Sequence, residues 1–217
     1  MSVELYFCEV PTNSYANELC SVASGINLAK ENCLSVSDLN LNQKLSICAE
    51  MLTRLKIAEK FQVPNYNIDI RRNKYGKPYV NNIPESFFNI SHTENVFCVA
   101  ISDSEIGVDI EKIKPQNINI AKRFFDKFEI DYILSNDNQD RAFGEIWTKK
   151  EAYIKCTGEG LSRVLSSFCV LAKEIDLKIR TISIGDYIIS IYGEIDKVNV
   201  INLEYAELIE KCIKDLL

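Results

Sequence analysis

Residues 104–113 read SEIGVDIEKI. Apolar and polar positions alternate with a period of two, which predicts a strand entered through a glycine. Val108 and Ile110 then take one face, and Asp109 and Glu111 share the other. The strand lies near the middle of a 217-residue chain, with elements of similar make-up before and after it. The pattern predicts an α+β fold of two similar halves, 1–105 and 106–217, meeting near residues 103–115.

Before this strand, VELYFCEV (3–10) alternates as another. Leu41, Leu45, Cys48, Leu52, Leu55 and Ala58 recur at spacings of three and four, which predicts an amphipathic helix over 39–61. Pro64 and Asn65 stop it. NIDIRR (67–72) predicts a short strand and Tyr75-Gly76-Lys77-Pro78 a turn. SFFNIS (86–91) and NVFCVAIS (95–102) predict a hairpin through His92-Thr93-Glu94.

Beyond Pro115, a helical stripe runs through Ile118, Ala121, Phe124, Phe125 and Phe128. A second helix is expected from about 140 to 156, ended by the glycines of Thr157-Gly158-Glu159-Gly160. SFCVLAK (167–173), LKIRTISI (177–184), DYIISIYGEI (186–195) and KVNVINLEYA (197–206) predict strands. ELIEKCIKDLL (207–217) allows a closing helix. No Pro/Gly/Ser linker separates the halves, so they are expected to pack on each other.

Twenty-five Lys and Arg stand against 31 Asp and Glu, a net charge of −6. That balance argues against a protein that coats nucleic acid. One histidine rules out a multi-His metal site or catalytic network. Eight cysteines, at 8, 20, 33, 48, 98, 156, 169 and 212, contain no CxxC pair, which disfavours zinc ribbons and thioredoxin chemistry. The N-terminal MSVELYFCEV lacks the basic start and apolar run of a signal peptide. No 18-residue apolar stretch suggests a membrane span. The expectation is a cytoplasmic protein, independent of membranes, with reduced cysteines in its core.

Four features carry candidate chemistry. Asp109 and Glu111 on one strand face repel by about 4 kcal/mol at 4 Å and an effective dielectric of 20. A divalent ion would relieve this, and oxygen donors select Mg²⁺ or Mn²⁺; two solvated acids on an exposed strand are the plainer reading. Glu151 falls on the apolar face of its helix, with Phe143, Ile146, Trp147 and Ile154, so it needs a cation. Lys155 at i+4 is one candidate, and a metal shared with Asp109 and Glu111 is another. Between Arg54 and Lys77, seven basic residues stand against two acidic ones, a local patch suited to an anionic ligand or an acidic partner. His92, beside Ser91 at the expected hairpin tip, reads as a turn residue or, in a phosphate site, as an N–H donor.

YGKP (75–78), FNISH (88–92), IGVDIEKIKP (106–115), IAKRFF (120–125) and WTKKEAYIKCTGEGL (147–161), in this order, resemble the 4'-phosphopantetheinyl transferases of the surfactin-synthetase-activating type. The resemblance implies a pseudo-dimer of two α+β halves. It implies transfer of the phosphopantetheine arm of coenzyme A to a serine of an apo acyl or peptidyl carrier protein, with release of 3',5'-ADP. Asp109, Glu111 and Glu151 match the Mg²⁺ ligands. Lys155 matches the lysine near the pyrophosphate, and Glu151 also the base for the serine. Ser91 and His92 match the residues at the 3'-phosphate, and Lys77 and Pro78 the adenine-side turn. Lys30 matches one of two basic residues before the first helix; Cys33 stands at the second, and Leu45 where the family tends to have an arginine. A monomer that uses neither nucleic acid nor membrane is implied.

Two other readings use the same residues. Water in place of serine would make a Mg²⁺-dependent hydrolase of pyrophosphate-containing nucleotides. A site without chemistry would make a module that only binds carrier proteins.

Overall fold

The computed structural model describes residues 1–11, 39–116, 118–160 and 163–216. Strand β1 (Ser2–Glu9) is followed by α1 (Leu41–Phe61), the short β2 (Ile70–Arg72) and β3 (Pro78–Val80), then β4 (Phe87–Thr93), β5 (Val96–Ser102) and β6 (Ile106–Lys112). Next come α2 (Ile118–Phe124), α3 (Lys127–Ser135), α4 (Gln139–Thr157) and α5 (Lys173–Asp176). The chain closes with β7 (Ile179–Ile184), β8 (Tyr187–Gly193), β9 (Lys197–Leu203) and α6 (Tyr205–Leu216).

Two sheets face each other, one ordered β4-β5-β1-β9 and the other β6-β8-β7. Alternation sorts β1 and β5 between two of the hydrophobic cores. Tyr6, Cys8, Phe97 and Val99 pack with Leu45, Leu52, Tyr205 and Ile209 of α1 and α6. Val3, Leu5, Cys98 and Ala100 pack on Ile106, Val108, Ile110, Ile189 and Ile191 of the other sheet. Val108 and Ile110 therefore bury the apolar face expected of them, which leaves Asp109 and Glu111 on the side of α4.

The two halves are interleaved. β9 pairs with β1 in parallel, from Ser2 opposite Lys197 to Cys8 opposite Leu203. Tyr205, Leu208, Ile209 and Cys212 of α6 complete the core around α1. The chain's last elements thus belong in space to its first sheet, across the expected division at 105/106.

Local chemistry explains two of the helix starts. Asn40 caps α1 through a reciprocal bond with Gln43, and Asp126 caps α3 the same way with Glu129. These capping boxes satisfy amides that a helix start leaves open. The Asp126 cap also divides the expected stripe 118–128 into α2 and α3. Over 67–72, only Ile70–Arg72 is strand; Asn65–Asn67 forms a 3₁₀ turn. His92 and Thr93 belong to β4 rather than to its tip, because β4 pairs with β5 as far as Thr93 opposite Val96.

The segment 167–173, expected as a strand, is not one: a 3₁₀ turn at Leu165–Ser167 leads to α5. Its backbone groups are taken by a buried ion pair instead of a ladder. Lys150 Nζ donates to Leu165 O (2.7 Å) and Phe168 O (2.8 Å), and Glu129 Oε1 accepts from Val170 N (2.7 Å).

Candidate active site

Edge strands β4 and β6 meet at the boundary of the two sheets. Polar residues recur along β4 at 89, 91 and 93, all on one face. Asn89 Oδ1 accepts from Val108 N at 2.9 Å, and Ser91 Oγ from Ile110 N at 3.4 Å. These side chains satisfy amides on β6 that an open edge would leave unpaired. In the same register, Ser91 Oγ donates to Asp109 Oδ1 (2.8 Å) and Thr93 Oγ1 to Glu111 Oε2 (3.2 Å).

Helix α4 lies close on the other side of β6. A Cβ on Gly107 would stand 2.0 Å from Ala152 O and 2.5 Å from Cys156 N, so only glycine permits this approach. The proximity brings Glu151 and Lys155 to Asp109. Lys155 Nζ donates to Asp109 Oδ1 at 2.7 Å and to Ser91 Oγ at 2.8 Å. Its nearest ionic partner is therefore Asp109 on the strand, not Glu151 on its own helix. Asp109 Oδ2 is buried with no hydrogen-bond partner.

The electrostatics follow from burial and crowding. Burial, and then the charge of Asp109, hold the Glu151 carboxyl above the usual range, against the pull of Lys155. Burial and Asp109 raise Glu111 in the same way. Burial alone would lower Lys155, but the charge and hydrogen bond of Asp109 prevail and keep the ammonium above the ordinary lysine value. Lys155 stays 28% accessible along its side chain, within reach of a ligand.

A cleft of about 630 Å³ opens over this cluster, lined among others by Lys77, Pro78, Ser91, His92, Glu151 and Lys155. Asp109 also lines it; Glu111 is not among its lining residues. Ser46 of α1, which nothing in the sequence singled out, holds the imidazole. Its hydroxyl donates to Asn42 O at 2.9 Å, so the 3.2 Å contact with His92 Nε2 takes its hydrogen from the ring. Burial, then the charge of Lys155, lowers the His92 pKa below its usual value, which favours the neutral ring. A phosphate bound there would compete with Ser46 for that N–H. The Lys77 ammonium is turned inward, to Glu105 (2.8 Å) and to Cys156 O (3.0 Å). Lys30 and Cys33 lie outside the described residues.

Asp109, Glu111 and Glu151 form a hard, all-oxygen set. Among the described residues, no three carboxylate, imidazole or thiol side chains close on one point as they are set. The partnerless buried Asp109 Oδ2 and the raised carboxyls of Glu111 and Glu151 are what a divalent cation would relieve, so the residues fit such an ion.

Residues 105–204 match the model of the 4'-phosphopantetheinyl transferase superfamily, and residues 14–104 that of the 4'-phosphopantetheinyl transferase N-terminal region. The chain is 33% identical over 171 residues to the 4'-phosphopantetheinyl transferase gsp of Aneurinibacillus migulanus, covering 77% of this chain and 71% of that protein. It is 40% identical over 131 residues to the transferase ffp of Bacillus subtilis (59% of this chain, 58% of that one). It is 38% identical over 127 residues to the transferase Sfp of Bacillus subtilis strain 168 (58% and 57%). The chain thus spans under two thirds of the length of two of these relatives. Two family models that divide nearly the whole chain between them, and a relative matched over most of its length, give one conclusion: the chain belongs to the 4'-phosphopantetheinyl transferase superfamily.

Proposed function

We propose that this chain transfers the 4'-phosphopantetheine moiety of coenzyme A to the serine hydroxyl of an apo acyl or peptidyl carrier protein, releasing 3',5'-ADP. The observation that carries the reading is Lys155, held by Asp109 and Ser91 at the floor of a cleft that runs from the acidic cluster to the basic β2–β3 hairpin. With a divalent cation on the acidic cluster, a donor that carries a pyrophosphate joined to a nucleotide suits that lining.

Asp109, Glu111 and Glu151 would hold Mg²⁺, which when bound supplies charge neutralisation for the pyrophosphate. The protein's own residues do the rest. Lys155 directs an N–H toward the oxygens on which charge grows as the serine attacks. Glu151 takes the serine proton, directly or through a water. A serine O–P bond forms as the P–O bond to 3',5'-ADP breaks. Ser91, His92 and the turn at Lys77 and Pro78 hold the nucleotide end, so that the donor is positioned rather than chemically activated by the chain. No covalent protein intermediate is needed, and the cysteines take no part.

The reading makes the enzyme a cytoplasmic monomer. Cys8, Cys48, Cys98, Cys156, Cys169 and Cys212 are free thiols, which suits a reducing compartment. No helix of the described residues is long and apolar enough to cross a membrane.

The test is incubation with several apo carrier proteins, coenzyme A and Mg²⁺, read by intact mass. A gain of one phosphopantetheine on a carrier serine is expected. Coenzyme A cleavage without transfer to any carrier would replace this reading with the hydrolase.

A further inference from the structure

Helix α4, which carries Glu151 and Lys155, ends at Gly158 in a left-handed conformation (φ 69°). The last carbonyls of a helix have no partner within it. Here two carbonyls at this end are met from the β2–β3 hairpin. Lys77 Nζ donates to Cys156 O at 3.0 Å, and Asn73 Nδ2 to Gly158 O at 3.2 Å. Lys77 Nζ also reaches Ile106 O (3.4 Å) and pairs with Glu105 (2.8 Å). Three protein acceptors exhaust an ammonium's three hydrogens, and the Lys77 side chain is only 15% exposed. It is engaged by the protein, not presented to a ligand.

The same asparagine shapes the turn. Asn73 Oδ1 accepts from Tyr75 N (2.9 Å) and Lys77 N (3.0 Å). Packing is as close as the bonding: a Cβ on Gly158 would lie 3.2 Å from Asn73 Nδ2, and one on Gly160 3.2 Å from Tyr75 Cβ. Tyr75, Gly76, Lys77 and Pro78 line the same cleft as Glu151 and Lys155. One asparagine therefore both builds the turn that lines the cleft and fastens it to the end of the helix that carries Glu151 and Lys155.

We propose that Asn73 and Lys77 are positioning residues that lock the nucleotide-side turn onto the C-terminal turn of α4, and so set the span between the donor's nucleotide and the groups that act on its pyrophosphate. The proposal rests on the transferase reading and reassigns the Lys77 side chain from ligand contact to clamp. Asn73 acts through the turn and the helix.

Two variants test it. Asn73→Asp keeps the oxygen that shapes the turn and loses the donor to Gly158 O; Lys77→Met removes the ammonium. Each is expected to raise the KM for coenzyme A by roughly five- to tenfold, the scale of one lost hydrogen bond. The KM for the apo carrier should stay within about twofold. Amide hydrogen exchange should quicken at both 73–77 and 156–160. An unchanged KM for coenzyme A, even with a lowered Tm, overturns the proposal, as does faster exchange confined to 73–77. If the unaltered chain transfers nothing to any carrier, the function fails, and exchange at the two segments alone decides the clamp.

Discussion

Lys155 and Asp109 lie 2.7 Å apart on different elements, the ammonium near the end of α4 and the carboxylate on β6. Both atoms also bond Ser91 Oγ, so three residues distant in sequence form one closed triangle. The triangle fixes Lys155 at the cleft floor while the second oxygen of Asp109 stays without a partner.

Asp109→Ala removes the anchor of Lys155 and one of three acidic donors. Transfer to the carrier is expected to fall by about 10²-fold or more, the scale of losing a preorganised electrostatic group. EDTA should abolish transfer by the unaltered chain, and added Mg²⁺ should restore it. Intact-mass assays with and without metal read both outcomes.

Glu129 and Lys150 are fully buried and bonded at 2.8 Å. Every polar atom of the pair has a partner, including Asp126 N on Glu129 Oε2. Glu129→Leu alone strands the ammonium and should cost about 3–5 kcal/mol; Glu129→Leu with Lys150→Met removes the stranded charge but leaves the backbone groups of Asp126, Leu165, Phe168 and Val170 without these partners, so only part of that loss should return. Urea unfolding of the two variants makes the comparison. Because Lys150 precedes Glu151 on α4, the single variant should also lower kcat.

Gly107→Ala places a methyl 2.0 Å from Ala152 O. Backbone must move, since no side chain is there to yield. A loss of at least about 1–3 kcal/mol is expected, with a drop in activity as β6 and its two acids shift away from α4. Thermal unfolding and a transfer assay on the same preparation check this together.

The lone histidine gives a clean pH test. The His92 pKa is lowered by burial and by Lys155, so its single imidazole resonance should titrate below the usual 6.5. The unfolded chain then takes up that proton more readily than the folded one, so His92 lowers stability as pH falls through 6.5. An NMR midpoint above 6.5 in the free protein would contradict the neutral, Ser46-bonded ring.

At the alkaline end the buried thiols come into play. Burial pushes Cys8, Cys48, Cys98 and Cys212 up to about 12, and Cys156 to about 11. In the unfolded chain these groups lose protons near the ordinary thiol value of about 8.5–9. Stability is therefore intact below that pH and falls as pH rises from about 9 toward 12. Denaturant midpoints across that range should fall, and Cys8, Cys48, Cys98 and Cys212, buried in the fold, should resist iodoacetamide at pH 8 in the native protein.

Much of this molecule is legible along the chain. The period of two in 106–111 placed Asp109 and Glu111 together, and the i+3 and i+4 steps from apolar neighbours placed Glu151 toward the interior. Asn89, Ser91 and Thr93 carried the same signal, three polar residues at a spacing of two, and all three bond β6. Asp126 and Glu129 spelled a capping box that an unbroken helical stripe over 118–128 obscured. Ser46 carried no signal, since a serine on a helix is ordinary until a ring nitrogen lies beside it.

Residue order alone determines which way side chains point within a strand or helix, because that direction is set by local backbone geometry. It therefore marks the acidic face of β6, the apolar face of α4 and the glycines that end it. Tertiary structure decides what those faces meet. It sends β9 and α6 back to the first sheet, because burial rewards any apolar partner, however distant in sequence. It gives Lys155 to Asp109 and Lys77 to the end of α4, and makes 167–173 a loop, because charges and open backbone groups bond whatever lies within about 3 Å.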